Sequence, residues 1–265
     1  MFIPSKLQDN RYLGTDYVAN LQMVGNSQLV RAWLEGDWSV IEGAFFPEFS
    51  ESRHVIPPFS IPGNWLRFRS ADWGSARPFS VGWWAVATDD YTLSSRVIPR
   101  GAIVRYREWY GQAQGQNANT GLKLTAEEVG LGIVQRETSG QAAEARDLEG
   151  KTNITYGVLD PAAFAEDGGP SIAERIFRAS GILFRRADNA RISQRGAMGG
   201  WDQVRARLIG DDGRPMMYFF STCRDSIRTL PALQHDRDKP EDVDSESEDH
   251  APDEIRYACM SRPYV

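Results

Sequence analysis

Three acidic landmarks carry residue types that phosphodiester chemistry can use. They are Asp72 at the end of Leu66-Arg67-Phe68-Arg69-Ser70-Ala71-Asp72, Asp160 in Leu159-Asp160-Pro161, and the pair Asp249 and Asp253. Carboxylate oxygens are hard donors suited to Mg²⁺ or Mn²⁺. Acids gathered from distant chain positions are what a two-metal hydrolase needs, with one ion activating water and the other stabilising the departing oxygen. That chemistry requires no catalytic His, Ser or Cys. Singly, the same residues have ordinary uses: Asp72 and Asp160 lead into Gly- or Pro-containing turns, and Asp249 or Asp253 suits a helix N-cap. Asp72 is the most informative of them. It stands beside Trp73 among apolar residues, where an ionised carboxylate needs hydrogen bonds, a cationic partner or a metal ion. Arg77, in the following turn, is the local cationic choice.

The elements that must position these acids follow from pattern. Residues 65–73 and 79–88 read as antiparallel strands around a Gly/Ser/Pro turn, and 103–110 as a third after Pro99-Arg100-Gly101, which makes a meander. On the first strand Asp72 shares a face with Ser70 and Phe68, while Arg67 and Arg69 lie with Ala71. Thr125-Ala126-Glu127-Glu128 opens a helix carrying Val129, Ile133 and Val134 in the manner of a capping box. A short strand, 156–159, ends at Asp160. Residues 171–180 read as an amphipathic helix with Ile172, Ile176 and Phe177 inward, 182–185 as a strand, 200–208 as a helix and 216–221 as a strand. The last short helix covers 253–260; if it begins near Asp249, Pro252 falls in its first turn and the two acids share a face. Asp249 is then the better cap, and Asp253 is held steady by Ile255, Ala258 and Cys259 behind it. A meander followed by alternating helices and strands indicates a mixed α/β sheet with helices on both faces.

Residues 1–60 read as a lead-in segment packed on a core formed by 61–265. Two short helices near 17–21 and 29–34 precede Gly36-Asp37-Trp38, Gly43-Ala44-Phe45-Phe46 and a Pro57-Pro58 break. The aromatic residues there (Trp33, Trp38, Phe45, Phe46, Phe49) are expected to pack rather than to bind. With 265 residues, 41% of them hydrophobic, the chain can form one large soluble domain with such an extension. No apolar run reaches bilayer length and the N-terminus lacks signal-peptide order, so the cytoplasm is expected, with no membrane partner. Cys223 and Cys259 lack CxxC spacing and indicate buried thiols rather than a disulfide framework or a zinc ribbon.

The net charge of −6 hides a polarity. Residues 236–254 hold ten acids against Arg237 and Lys239, a local −8, whereas 175–214 holds nine Arg against four Asp, a local +5 able to meet a phosphate backbone. Within it Arg185, Arg186, Arg191 and Arg195 are the expected DNA contacts, although solvated helix faces have the same composition. Residues 145–152 satisfy the loosest phosphate-loop pattern, but a helix-favouring segment precedes them and a strand follows, the wrong context for that loop.

Asp72-Trp73-Gly74 with Pro78-Phe79-Ser80-Val81 and Trp83-Trp84, then Arg107-Glu108-Trp109-Tyr110-Gly111, Leu159-Asp160-Pro161, and finally Asp249-His250-x-x-Asp253-x-x-Arg256-Tyr257 occur in this order. The ordered set resembles the C-terminal nuclease domain of tailed-bacteriophage terminase large subunits. Gly36-Asp37-Trp38 resembles the segment joining that family's ATPase domain to its nuclease. The resemblance spans nearly the whole chain. It implies an RNase H-like fold and endonucleolytic cutting of concatemeric double-stranded DNA with two Mg²⁺ or Mn²⁺ ions. Asp72, Asp160 and Asp253 carry over as catalytic, metal-binding carboxylates, with Asp249 beside them as cap and further metal contact. It also implies the terminase small subunit, the portal and an ATPase domain as partners, in the cytoplasm of an infected bacterial host. The chain departs from the family pattern in the long acidic stretch 241–249 and in having no ATPase domain before residue 1, as expected of an excised domain or a prophage remnant. The alternatives are another RNase H-like nuclease, resolvase- or transposase-like, and a degenerate domain that only docks.

Overall fold

The apolar, β-branched and aromatic runs assemble into a seven-stranded mixed sheet. The computed structural model describes residues 43–113, 119–138, 154–194, 196–244 and 247–264. The expected helices before residue 42, Gly36-Asp37-Trp38, Trp33 and the phosphate-loop-like run at 145–152 lie outside them. In chain order the described residues form α1 (Glu51–His54), β1 (Val55–Ile56), β2 (Leu66–Asp72), β3 (Ser80–Val86), β4 (Tyr91–Leu93), β5 (Arg96–Ile98) and β6 (Ile103–Tyr110). There follow α2 (Ala126–Thr138), β7 (Ile154–Leu159), α3 (Ile172–Ser180), β8 (Arg185–Arg186), α4 (Gly200–Ile209), β9 (Met217–Phe220), α5 (Arg224–Thr229) and α6 (His250–Ser261).

The sheet order is β1-β9-β6-β3-β2-β7-β8. The expected meander is its centre: β2, β3 and β6 run antiparallel as neighbours. β7 then returns parallel to β2, pairing Ala71 with Leu159, so both strands end at the same edge of the sheet. β9 and β1 extend the other side in parallel. β1 and the buried rings Phe45, Phe46 and Phe49 belong to the segment read as a lead-in, and they are built into the sheet and its core.

Strand alternation sends side chains to two covered faces. On one, Phe68, Trp84, Met217 and Phe219 pack with Trp201, Val204 and Leu208 of α4 and with Ile255, Ala258 and Cys259 of α6. On the other, Ala71, Val81, Trp83 and Leu159 pack with Ala126, Val129 and Ile133 of α2 and Ala173 and Ile176 of α3. The capping box at Thr125 forms: the Glu128 backbone N–H donates to Thr125 Oγ1 at 3.2 Å, and the Thr125 N–H donates to Glu128 Oε2 at 2.8 Å.

Several expectations are corrected. The β4–β5 hairpin fills the gap after β3; its three-residue, partly exposed strands carry too little alternation to be read from sequence. Phe177 is 48% exposed, because Ala173 and Ile176 take the inward stripe of α3 and Phe177 is rotated a further residue around it. The strand expected at 182–185 reduces to Arg185–Arg186. The chain leaves α3 through the left-handed Gly181 and reaches the edge of β7 only there, with Ile182 and Phe184 buried in the coil between. Both cysteines are buried free thiols. Among the described residues no helix is long and apolar enough to cross a membrane.

Candidate active site

Asp72 is the last residue of β2, and Asp160 follows the last residue of β7. The parallel pairing makes them neighbours, with the Asp160 N–H donating to the Ala71 carbonyl at 3.1 Å. Asp160 does what Asp before Pro commonly does, its Oδ1 accepting from Ala162 N at 3.1 Å to cap the short 3₁₀ turn Pro161–Phe164. Asp253 sits in the first turn of α6, which lies across β2, β3 and β7. Arg256 one turn on holds it, both Nε and Nη2 reaching Oδ1 at 2.9 Å.

The electrostatics mark these acids as one group. Asp72 is 7% exposed, and its pKa is raised to about 7, first by burial and then by the nearby charges of Asp253 and Asp160, against the pull of His250. Asp249 is raised to about 6 by burial and by Asp253. The Tyr257 hydroxyl is pushed up by burial and by Asp72, Asp253 and Asp160 together.

The partner of Asp72 is His250, not Arg77, which is exposed. His250 Nδ1 stands 3.1 Å from Asp72 Oδ2, and Nε2 stands 3.0 Å from Asn119 Oδ1. An imidazole facing an oxygen acceptor on each side must share a proton with the carboxylate. Burial works against the His250 charge, but Asp72 and Asp249 more than offset it and its pKa is raised. Asn119 adopts φ +67°. The loop after it is locked to the turn following β2, with Gly121 N–H donating to the Ala76 carbonyl at 2.7 Å; a side chain on Gly121 would collide with the carbonyls of Ser75 and Arg77. The sequence carried His250 only as the neighbour of Asp249, and nothing in it joined residue 119 to either.

Asp249 occupies the N-cap position of α6, but its side chain makes no cap hydrogen bond; only its backbone carbonyl accepts, from Asp253 N at 2.7 Å. Its backbone is αR rather than extended, and its carboxylate instead lies 3.7 Å from Arg191. The expected cap is therefore absent.

The arginines divide. Arg185 and Arg186 are exposed, stacked over Tyr156 and Phe164, and Arg186 donates to the carbonyls of Pro161 and Phe164 at 3.3 and 3.4 Å, beside Asp160. Arg191 is engaged by Asp242 at 2.9 Å. Arg195 lies outside the described residues. The acidic stretch is itself tied down: Trp201 Nε1 donates to Asp242 at 2.8 Å, and Arg228 grips both oxygens of Glu248 at 2.7 and 2.8 Å.

Among the described residues no group of three or more His, Cys, Asp or Glu side chains converges closely enough to hold a metal ion as it stands. The donor chemistry nonetheless fits a hard divalent cation, since the acids are oxygen ligands with more negative charge than their surroundings neutralise. The donors that satisfy them, His250, the Ala162 amide and Arg256, are ones a bound cation would compete with.

The architecture has solved relatives. Over 98% of this chain, covering 55% of the other, it is similar to the large terminase from a thermophilic bacteriophage, with TM-score 0.58 and 18% identity; the ADP complex of that protein gives 0.59. Over 83% of this chain and 92% of the other it is similar to the P22 large terminase nuclease domain, with TM-score 0.54 and 15% identity. The fold is that of a terminase nuclease domain. It is RNase H-like, as the resemblance in the sequence implied. The chain spans about half the length of the thermophilic-phage large terminase it matches. No protein-family model and no curated protein matches it.

Proposed function

We propose that this chain is a divalent-metal-dependent endonuclease domain of a terminase large subunit, cutting concatemeric double-stranded DNA by phosphodiester hydrolysis. The observation that carries the reading is the under-neutralised acidic group at one sheet edge, built from two adjacent strand ends and a helix first turn on a terminase-nuclease fold. Asp72, Asp160 and Asp253 would hold two Mg²⁺ or Mn²⁺ ions, with Asp249 adjacent. Bound there, the ions would supply an activated water and stabilise the leaving oxygen.

The chain's own residues have defined tasks. Asp72, buried, presents a carboxyl that would give up its shared proton to a bound cation where water cannot screen their attraction. Arg256 orients Asp253, and the capped turn fixes Asp160. Arg185 and Arg186, on the strand that pairs with β7, would meet phosphates and so hold a duplex against the acids. The segment around Gly36-Asp37-Trp38 would connect to an ATPase domain, and the small subunit and portal would be partners in the host cytoplasm. Supercoiled plasmid incubated with the protein and Mn²⁺, without ATP, should be nicked and linearised. EDTA and Asp72→Asn should each abolish this, and nicking that survives both would sink the metal mechanism.

A further inference from the structure

Beneath the acidic group lies a second charge network with a fully buried centre. Glu254 follows Asp253 directly, and successive helical residues point about 100° apart, so one turn aims Asp253 at the strand ends and Glu254 into the sheet. The Glu254 side chain is 0% exposed, as is that of its ion-pair partner Arg105 on β6. The same carboxylate accepts from Ser70 Oγ, from Trp84 Nε1 at 3.0 Å and from Ser80 Oγ at 3.4 Å. Arg105 in turn lies 3.7 Å from Glu108, whose carboxylate accepts from Asp225 N at 2.7 Å and Ser226 Oγ at 2.7 Å. Gly82 is the floor of this chamber: a side chain there would collide with both the Glu254 carboxylate and the Arg105 guanidinium.

The connectivity matters more than the burial. Ser70 stands two residues before Asp72 on the same strand face, so Glu254 ties the strand that carries Asp72 to the helix that carries Asp253. Apolar contacts of Ile255, Ala258 and Cys259 already hold α6 against the sheet. A buried ion pair adds little stability over such contacts, but its directional bonds fix register, which apolar packing leaves looser.

We infer that the Glu254–Arg105 pair is a positioning group that sets Asp253 against Asp72 and thereby the affinity of the acidic site for a divalent cation. The inference rests on the metal-dependent reading above.

Calorimetric titration of the whole chain with MnCl₂ tests it without reference to cleavage. Glu254→Gln, which keeps an acceptor for Ser70 and Trp84 but removes the charge opposite Arg105, should weaken Mn²⁺ binding roughly 10- to 100-fold, the range for outer partners of metal ligands. Ser70→Ala, which cuts the strand tie and leaves the ion pair, should weaken it in the same direction by less, and decides the matter if Glu254→Gln does not fold. Ile133→Val, which opens a cavity in α2 on the opposite face of the sheet, should lower the melting temperature and leave Mn²⁺ affinity unchanged. Parent-like Mn²⁺ binding in folded Glu254→Gln and in Ser70→Ala overturns the positioning role alone. A parent that takes up no Mn²⁺ overturns the metal-dependent reading and this inference with it.

Discussion

Asp253 and Glu254 are consecutive on one helix, yet their surroundings are opposite. Glu254 is sealed from water and fully answered by an arginine, two hydroxyls and an indole N–H. Asp253, itself paired with Arg256, lies at the water-facing strand ends beside Asp72 and Asp249, whose pKa values are raised to about 7 and about 6 because burial and repulsion exceed what His250 and Arg191 supply. The difference separates two uses of buried charge. Where the complement is complete, the acid fixes the register of its helix; where it is deficient, the deficit is, on the proposed function, room for a cation from solution.

Substitutions should split along this line. Arg105→Met leaves Glu254 buried without its cation and should cost roughly 3–5 kcal/mol of stability, read as a fall in melting temperature and in the denaturant midpoint. Asp253→Asn should do the reverse. Cleavage should fall by roughly two to three orders of magnitude, the scale for losing one preorganised electrostatic group, while the melting temperature falls less than in Arg105→Met, because relief of repulsion from Asp72 and Asp249 offsets the weakened pair with Arg256. A destabilised Asp253→Asn with near-parental cleavage would erase the distinction.

Proton linkage sharpens the comparison. Folded Asp72 and Asp249 bind protons more tightly than their unfolded counterparts, so the metal-free protein should lose stability as pH rises from about 4, the unfolded value, through about 6 and 7, the folded ones. The proton that His250 shares with Asp72 is the same one, and its loss above the ordinary histidine value of 6.5 acts in the same direction. Melting temperature measured from pH 5 to 8 in EDTA should therefore decline, and Asp72→Asn should flatten the decline. A rise with pH in the parent would contradict the account.

The smallest effect is expected at the rim. Arg185→Ala and Arg186→Ala should each reduce the slope of log binding constant against log salt by roughly one on duplex DNA. Arg191, already held by Asp242, should change it less. Equal slopes in all three variants would assign these arginines to a solvated surface.

Much of the scaffold was legible because it is written in local pattern. The alternation from Leu66 to Asp72 and from Ile103 to Tyr110, the Thr125/Glu128 box and the apolar stripe behind Asp253 each formed as the residues dictate. What sequence did not show is what only tertiary pairing creates. His250 meets Asp72 across 178 positions, Arg105 meets Glu254 across 149, and Asp249 is drawn toward Arg191 instead of capping its helix. A rule for N-caps sees only the first turn of the helix, and a rule for strand faces sees only one strand.

Crystals soaked in MnCl₂ and measured at the manganese absorption edge test the central claim most directly. Anomalous peaks should appear among Asp72, Asp160 and Asp253, with the Asp72–His250 contact lengthened, and should vanish in Asp72→Asn. A soaked crystal with no peak at these carboxylates, from protein that still cuts plasmid in Mn²⁺, would contradict the assignment of this acidic group as the nuclease site.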